Sequence, residues 1–267
     1  MTAIALTIAG SDSGGGAGIQ ADLKTFSALG VYGTSVITAL TAQNTMGVSA
    51  IMDVEPDFIT AQMDAVFSDI AVNAVKIGML SRIHTIEAVA AGLDRHHVTK
   101  AVFDPVMVAT SGDRLIDDAA VNHLKTLLFS RAVLITPNLH EAAVICGGPV
   151  AQSAHEMRAQ GEAILGMGAQ AVLMKGGHGE GPDCTDLLVT RDAVLPFSAL
   201  RIATTNTHGT GCSLSSAIAA FLAHGLALEE AVAKAKAYLT AALQAADQLK
   251  IGHGHGPIHH FHAVWDR

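Results

Sequence analysis

Asn206-Thr207-His208-Gly209-Thr210-Gly211-Cys212-Ser213-Leu214-Ser215-Ser216 leads into the apolar run Ala217 to Ala223. Two glycines two residues apart, small hydroxyl residues around them, and Ala, Ile and Leu at helical spacing predict a tight turn that opens a buried helix. Such a turn aims free backbone N–H groups and the positive end of the helix dipole at one point, where an anion binds. Two readings fit these residues: an ordinary glycine-rich helix start in the core, or an anion hole. Cys212 closes the turn, and a thiol at the N-terminus of a helix can have a lowered pKa and act as a base.

Outward from this turn, runs rich in Ile and Val alternate with longer segments of helical period. That is the pattern of an α/β protein with a mainly parallel sheet. Strands are expected over Ala3 to Ala9, Val31 to Leu40, Ala74 to Ile77, Ala101 to Phe103, Ala132 to Ile135 and Ala171 to Met174, the last running into Lys175 to Gly179. Helices are expected over Ile19 to Leu29, Pro56 to Asp69, from a Ser81 cap to His96, Asp117 to Leu128, from Asn138 through Glu141, Ala154 to Leu165, Gly211 to Ala223 and Leu228 to Gln248. Asp186 to Val189 and Ala193 to Pro196 read as a short antiparallel pair at the sheet edge. Glycine and polar residues gather just past the strand ends, where open parallel sheets bind ligands.

Bulk composition narrows the classes. The 267 residues carry no linker or charge run, so residues 1–267 read as a single domain. Half the residues are hydrophobic and mean hydropathy is +0.38. Each apolar run is nevertheless broken before the roughly 18 residues that cross a bilayer, which predicts no membrane span. The start Met1-Thr2-Ala3-Ile4 lacks the positive region of a signal peptide, and a cytoplasmic protein is expected. Three cysteines, Cys146, Cys184 and Cys212, form neither a disulfide framework nor a zinc knuckle. With a net charge of −8 and no basic stripe, nucleic acid is not an expected partner.

Several residues carry chemistry. The loop Gly10 to Gly18 lacks the G-x-G-x-x-G spacing and the downstream acid of a dinucleotide fold, and no P-loop motif exists. Asp22, one turn into the following helix, reads by itself as a dipole partner or solvent-facing acid. Gln43, at the end of a buried strand, can pair its carbonyl and NH₂ with a ring nitrogen and an amine. Asp104 and Glu141 each follow a strand end, and two carboxylates there suit Mg²⁺ with water and phosphate completing its shell. Lys175 can reach a phosphate as a point charge. The tail histidines His253, His255, His259, His260 and His262 fit either a metal-binding tract or a plain structured loop, and the loop is the expectation because no acid or cysteine accompanies them.

Seven blocks, in order, resemble the hydroxymethylpyrimidine/phosphomethylpyrimidine kinases of thiamine synthesis. They are Ala9 to Asp22, Thr41 to Thr45, Lys76 to Met79, Asp104 to Met107, Thr136 to Glu141, Lys175 to His178 and His208 to Cys212. The resemblance spans nearly the whole chain. It implies a ribokinase-like three-layer αβα sandwich and ATP-dependent phosphoryl transfer, first to an alcohol and then to the resulting monoester. It further implies that Gln43 reads the aminopyrimidine, with Gly10, Asp22, Met79 and Val106 around the substrate. Asn138 and Glu141 match the superfamily's N-x-x-E, which governs Mg²⁺ and phosphate placement; Thr210 and Lys175 would also touch the nucleotide. Gly209 and Gly211 would supply the anion hole. Cys212 stands where most of the superfamily carries an aspartate base. A homodimer is expected from the family. The rivals are a pyridoxal kinase of the same superfamily and a metal-binding protein built on the histidine tail.

Overall fold

The computed structural model describes residues 2–107, 116, 118–177 and 181–265. Asp117, His178 and Gly179, expected at a helix start and a strand end, lie outside the described residues. In chain order the elements are β1 (Ile4–Asp12), α1 (Gly18–Ala28), β2 (Tyr32–Asn44), β3 (Gly47–Asp53), α2 (Pro56–Phe67), β4 (Ala74–Ile77), α3 (Ile83–Arg95), β5 (Ala101–Phe103) and α4 (Asp118–Leu127). They continue with β6 (Leu134–Ile135), α5 (Leu139–Cys146), α6 (Ala154–Gly166), β7 (Val172–Met174), β8 (Asp183–Val189), β9 (Val194–Leu200), α7 (Thr210–Ala223) and α8 (Leu228–Gln244).

Among the described residues these strands form one nine-stranded sheet, ordered β3-β2-β1-β4-β5-β6-β7-β8-β9. Strands β2, β1, β4, β5, β6 and β7 run parallel; β3 and β8 run opposite to them, and β9, antiparallel to β8, runs with them again. The chain leaves β1 for β2 on one side and returns to β4 on the other. The strand order therefore reverses at β1, and a crevice opens above the carboxyl ends of β1 and β4.

The central parallel strands are buried on both faces, as their Ile- and Val-rich runs require. Ile59 and Met63 of α2, Val89 and Leu93 of α3, and residues of α4, α5 and α6 pack on one side. Phe26 of α1, Leu214 to Leu222 of α7 and Val232 to Ala242 of α8 cover the other. Helix α7 is buried almost all round; its Ala217, Ala219 and Ala220 let it lie close to the strands.

Three details depart from the sequence reading. Strand β3 was not expected: its adjacent Ile51 and Met52 are both exposed, so no one-face alternation marks it. It pairs with β2, which extends four residues past Leu40. Ser81 does not cap α3; its hydroxyl donates to Asp53 at the end of β3, and the capping position falls on Arg82, whose side chain also donates to Asp53 and makes no capping bond. Helix α8 stops at Gln244, and a short 3₁₀ turn covers Ala246–Gln248.

The histidine tail is a structured loop. His208 N donates to Gly256 O, Ser213 Oγ and His260 Nε2 lie 3.0 Å apart, and Tyr238 Oη donates to His260 O. Burial, then the Lys24 and His259 charges, push His260 down from its ordinary 6.5 to about 3. The unfolded chain therefore takes up a proton near pH 6.5 that the folded chain refuses until about pH 3. Its contribution to stability is full above pH 6.5 and is lost as pH falls through that window. We predict that His260→Gln flattens the fall in melting temperature between pH 6.5 and 4 relative to wild type; parallel curves would contradict this.

Candidate active site

A cavity of about 830 Å³ lies over the carboxyl ends of β1, β4, β5 and β7, beside the strand-order reversal. The glycine turn forms one wall. Gly209, the N-cap of α7, has φ +79°, and a Cβ there would sit 1.9 Å from Gly16 O. Only glycine fits both the left-handed backbone and the close approach of the two loops. The first-turn amides of α7 face the cavity without intrahelical acceptors, as in any helix start. Thr210 Oγ1 donates back to Thr207 O at 2.6 Å, which fastens the turn.

The loop opposite is organised by Asp12. Its carboxylate accepts from Gly14 N (2.8 Å), Gly16 N (3.0 Å) and Ala17 N (2.8 Å), and meets His208 Nε2 at 2.9 Å. Burial works against the charge, but His208 and these amides hold Asp12 below the usual carboxylate range. Asp12 thus ties the glycine loop to the residue preceding Gly209.

Lys175, at the end of β7, reaches across the floor. Its Nζ is 2.8 Å from Asp104 Oδ1 and 3.8 Å from Glu141 Oε2, and it lies 3.3 Å from where a Cβ of Gly211 would be. Burial favours loss of its proton, yet Asp104 and Glu141 keep Lys175 charged and raise its pKa. Asp104 also accepts from Thr136 Oγ1 and Ser215 Oγ. Burial opposes its charge, but Lys175 and Lys76 hold it below the usual range. Glu141 belongs to a capping box with Asn138: Asn138 N donates to Glu141 Oε2 (2.7 Å), and Glu141 N donates to Asn138 Oδ1 (2.9 Å). Burial pushes Glu141 up to about 7; Lys175 opposes this and Asp104 adds to it.

At the other end, Gln43, Met79, Val106 and Gly10 line the cavity. Gln43 accepts from Thr41 Oγ1 at 3.0 Å, and its Nε2 is 3.4 Å from His208 Nε2. Gly10 leaves room for the Met79 thioether, whose methyl would be 2.7 Å from a Cβ there.

Two expectations change. Asp22 is neither solvent-facing nor a lining residue; it is fully buried behind the cavity wall. There it accepts from Lys76 Nζ (2.8 and 2.9 Å), Thr7 Oγ1 (2.6 Å) and Ser216 Oγ (2.6 Å). Cys212 is not an activated thiol. Burial pushes it up to about 11; Lys76 and a bond from the Gly18 amide pull down, while Asp22 and Asp104 push further up. Two nearby carboxylates and the loss of solvent outweigh the helix dipole, so the thiol is neutral at neutral pH.

Lys76, Asp12 and His208 were given no role from sequence. A lysine inside the wholly buried strand β4 was the available signal, because a buried ammonium needs an acid. Its partner is 54 residues away, and nothing local names it.

The sequence profile of the phosphomethylpyrimidine kinase family matches residues 12–259. The chain belongs to that family. It is 62% identical over 265 residues to a hydroxymethylpyrimidine/phosphomethylpyrimidine kinase of Rhizobium meliloti, covering 99% of each chain. Its fold matches a pyridoxal kinase of Bacillus subtilis solved as an ADP complex, with TM-score 0.92, 33% identity and full coverage of both chains. A phosphomethylpyrimidine kinase of Clostridium difficile superposes with TM-score 0.80 at 45% identity, covering 90% of this chain and 99% of that one. The family's three-layer ribokinase-like architecture is the one described above.

Proposed function

We propose that the chain, as one kinase domain, transfers the γ-phosphoryl group of ATP to 4-amino-5-hydroxymethyl-2-methylpyrimidine. A second transfer to the resulting monophosphate then completes this step of thiamine biosynthesis. The observation that carries this reading is the single cavity that holds Gln43 at one end and the Gly209 to Cys212 turn with Lys175 at the other. The ring lies between Met79, Val106 and the glycine loop, with the Gln43 amide pairing to the ring nitrogen and amine. Its hydroxymethyl group then faces the turn. The amides of Gly211 and Cys212 and the Lys175 ammonium receive the charge that develops on the transferring phosphoryl oxygens. Phosphoryl transfer passes through a loose transition state, so positioning and charge do most of the work and little is asked of a base. A neutral Cys212 is compatible with that chemistry.

The donor set fits a divalent cation in one of the two expected places. Asp104 already holds Lys175 and two hydroxyls, and a metal on it would have to displace the ammonium at 2.8 Å. Glu141 lines the cavity and stands 3.8 Å from the Lys175 ammonium, so it is the acid that would hold Mg²⁺ through water beside the Asn138 end of the nucleotide. When bound, the ion supplies charge neutralisation on the phosphate oxygens.

The substrate is tested by ATP consumption with the purified protein and two alcohols, the hydroxymethylpyrimidine and pyridoxal. Turnover of the pyrimidine at the higher kcat/KM is expected; preference for pyridoxal would overturn the assignment. No helix among the described residues is long and apolar enough to cross a membrane. Exposed Leu40, Met46, Ile51 and Met52 lie on the hairpin of β2 and β3, and exposed Phe58 lies on α2, the next element of the chain. We propose that a second copy covers this face in a homodimer.

The thiol bears on the second transfer. A carboxylate at Cys212 would stand about 4 Å from the bound monoester, and each like charge at that distance costs about 4 kcal/mol at an effective dielectric near 20. Asp22 and Asp104 already crowd this position with negative charge. We predict that Cys212→Asp keeps phosphorylation of the alcohol but lowers the ratio of second to first step by about tenfold or more. Equal loss in both steps would contradict it.

A further inference from the structure

The tract Ile251-Gly252-His253-Gly254-His255-Gly256-Pro257 alternates glycine with histidine, and none of its residues lines the cavity. Its backbone runs between two parts of the site. His253 N and Gly254 N donate to Thr45 Oγ1 (3.3 and 3.2 Å), and His255 N donates to Thr45 O (3.0 Å). Further along, Gly256 O accepts from His208 N (3.0 Å), and Pro257 pairs with His208 as an isolated parallel bridge. Thr45 is two residues past Gln43; His208 is the residue before Gly209.

Each glycine marks a place where a neighbour fills the space of a side chain. A Cβ would come 2.2 Å from Thr45 Oγ1 at position 252, 2.1 Å from Thr45 O at position 254, and 2.1 Å from Asn206 Oδ1 at position 256. The repeat is therefore a close-fitting strap, glycine wherever it presses on the substrate-side hairpin or on the turn before α7. Within six residues it joins the end of β2 to the anion hole, from outside the cavity.

We propose that Gly252, Gly254 and Gly256 are positioning residues for the pyrimidine: the strap fixes Gln43 relative to His208 and the Gly209 turn. The proposal rests on the kinase reading above. Its consequence is selective. Displacing the strap moves the pyrimidine reader, whereas Glu141 and Lys175 stand on other elements, α5 and the end of β7.

The test uses the full-length enzyme with separate KM values for the hydroxymethylpyrimidine and ATP. Gly256→Ala is expected to raise the pyrimidine KM about tenfold or more while the ATP KM stays within about twofold. Asn206→Ala removes the side-chain atoms that the new methyl meets, so the double variant Gly256→Ala/Asn206→Ala should recover most of the loss. Thr45→Val, which keeps the shape but removes the acceptor for His253 N and Gly254 N, should give the same split in milder form. This variant decides the matter if Gly256→Ala does not fold. An unchanged pyrimidine KM in Thr45→Val and Gly256→Ala, or an equal rise in both KM values, overturns the proposal. Failure of the wild type to phosphorylate the pyrimidine would instead overturn the functional reading.

Discussion

Lys175→Met is expected to lower kcat by about a thousandfold, between the loss of one oxyanion donor and the loss of a cationic finger in phosphoryl transfer. The ammonium lies 3.3 Å from where a Gly211 Cβ would stand, at the start of α7, and the surrounding charges keep it protonated. Methionine fills a similar volume without charge. The ATP KM should change far less than kcat, because the lysine acts most strongly on charge that appears during transfer. A second effect accompanies the first. Asp104, which Lys175 and Lys76 hold below the usual carboxylate range, loses its nearer counterion while buried, so its pKa rises and the fold loses stability. Steady-state kinetics on folded protein, with melting followed in parallel, separates the two. A kcat within tenfold of wild type would remove Lys175 from the chemistry.

Lys76→Met is expected to cost about 3 to 5 kcal/mol of stability, the range for breaking a buried ion pair by removing one partner. Both side chains of the Lys76 to Asp22 pair have zero exposure. Burial would strip the lysine's proton, but Asp22, helped by Asp104, keeps it charged and raises its pKa. Without the ammonium, Asp22 retains the hydroxyls of Thr7 and Ser216 but carries an uncompensated charge. Lys76→Met/Asp22→Asn keeps an oxygen for those hydroxyls and removes the charge, so it should be more stable than Lys76→Met alone. Urea unfolding of wild type and the two variants checks this. A loss under 1 kcal/mol, or a double variant no better than the single, would show that the pair is not a structural anchor.

The parallel sheet and the glycine turn before α7 were legible because their signals are local. Buried strands show as apolar runs, the turn shows as glycines before a small-residue helix, and Asn138 opens the helix that carries Glu141. Strand β3 was not legible, since Ile51 and Met52 face solvent on both sides and so break the alternation. Asp22 was not legible because its partner Lys76 comes from a strand 54 residues further on. The thiol of Cys212 stands at a helix N-terminus, which favours its charge, but burial and the carboxylates of Asp22 and Asp104, which only the fold brings near, push it up. Likewise the histidine tail reads as a repeat in sequence, while its meaning lies in Thr45 and Asn206 pressing on its glycines.

The central claim is that the start of α7 receives the transferring phosphoryl group while the pyrimidine lies at Gln43. A crystal structure of the protein with ADP, Mg²⁺, aluminium fluoride and the hydroxymethylpyrimidine tests it most directly. The account predicts the fluoroaluminate within hydrogen-bond distance of the Gly211 and Cys212 amides and of Lys175 Nζ, with the ring's amine on the Gln43 side chain. A fluoroaluminate seated away from that helix start, with the turn closed by its own side chains, would contradict it.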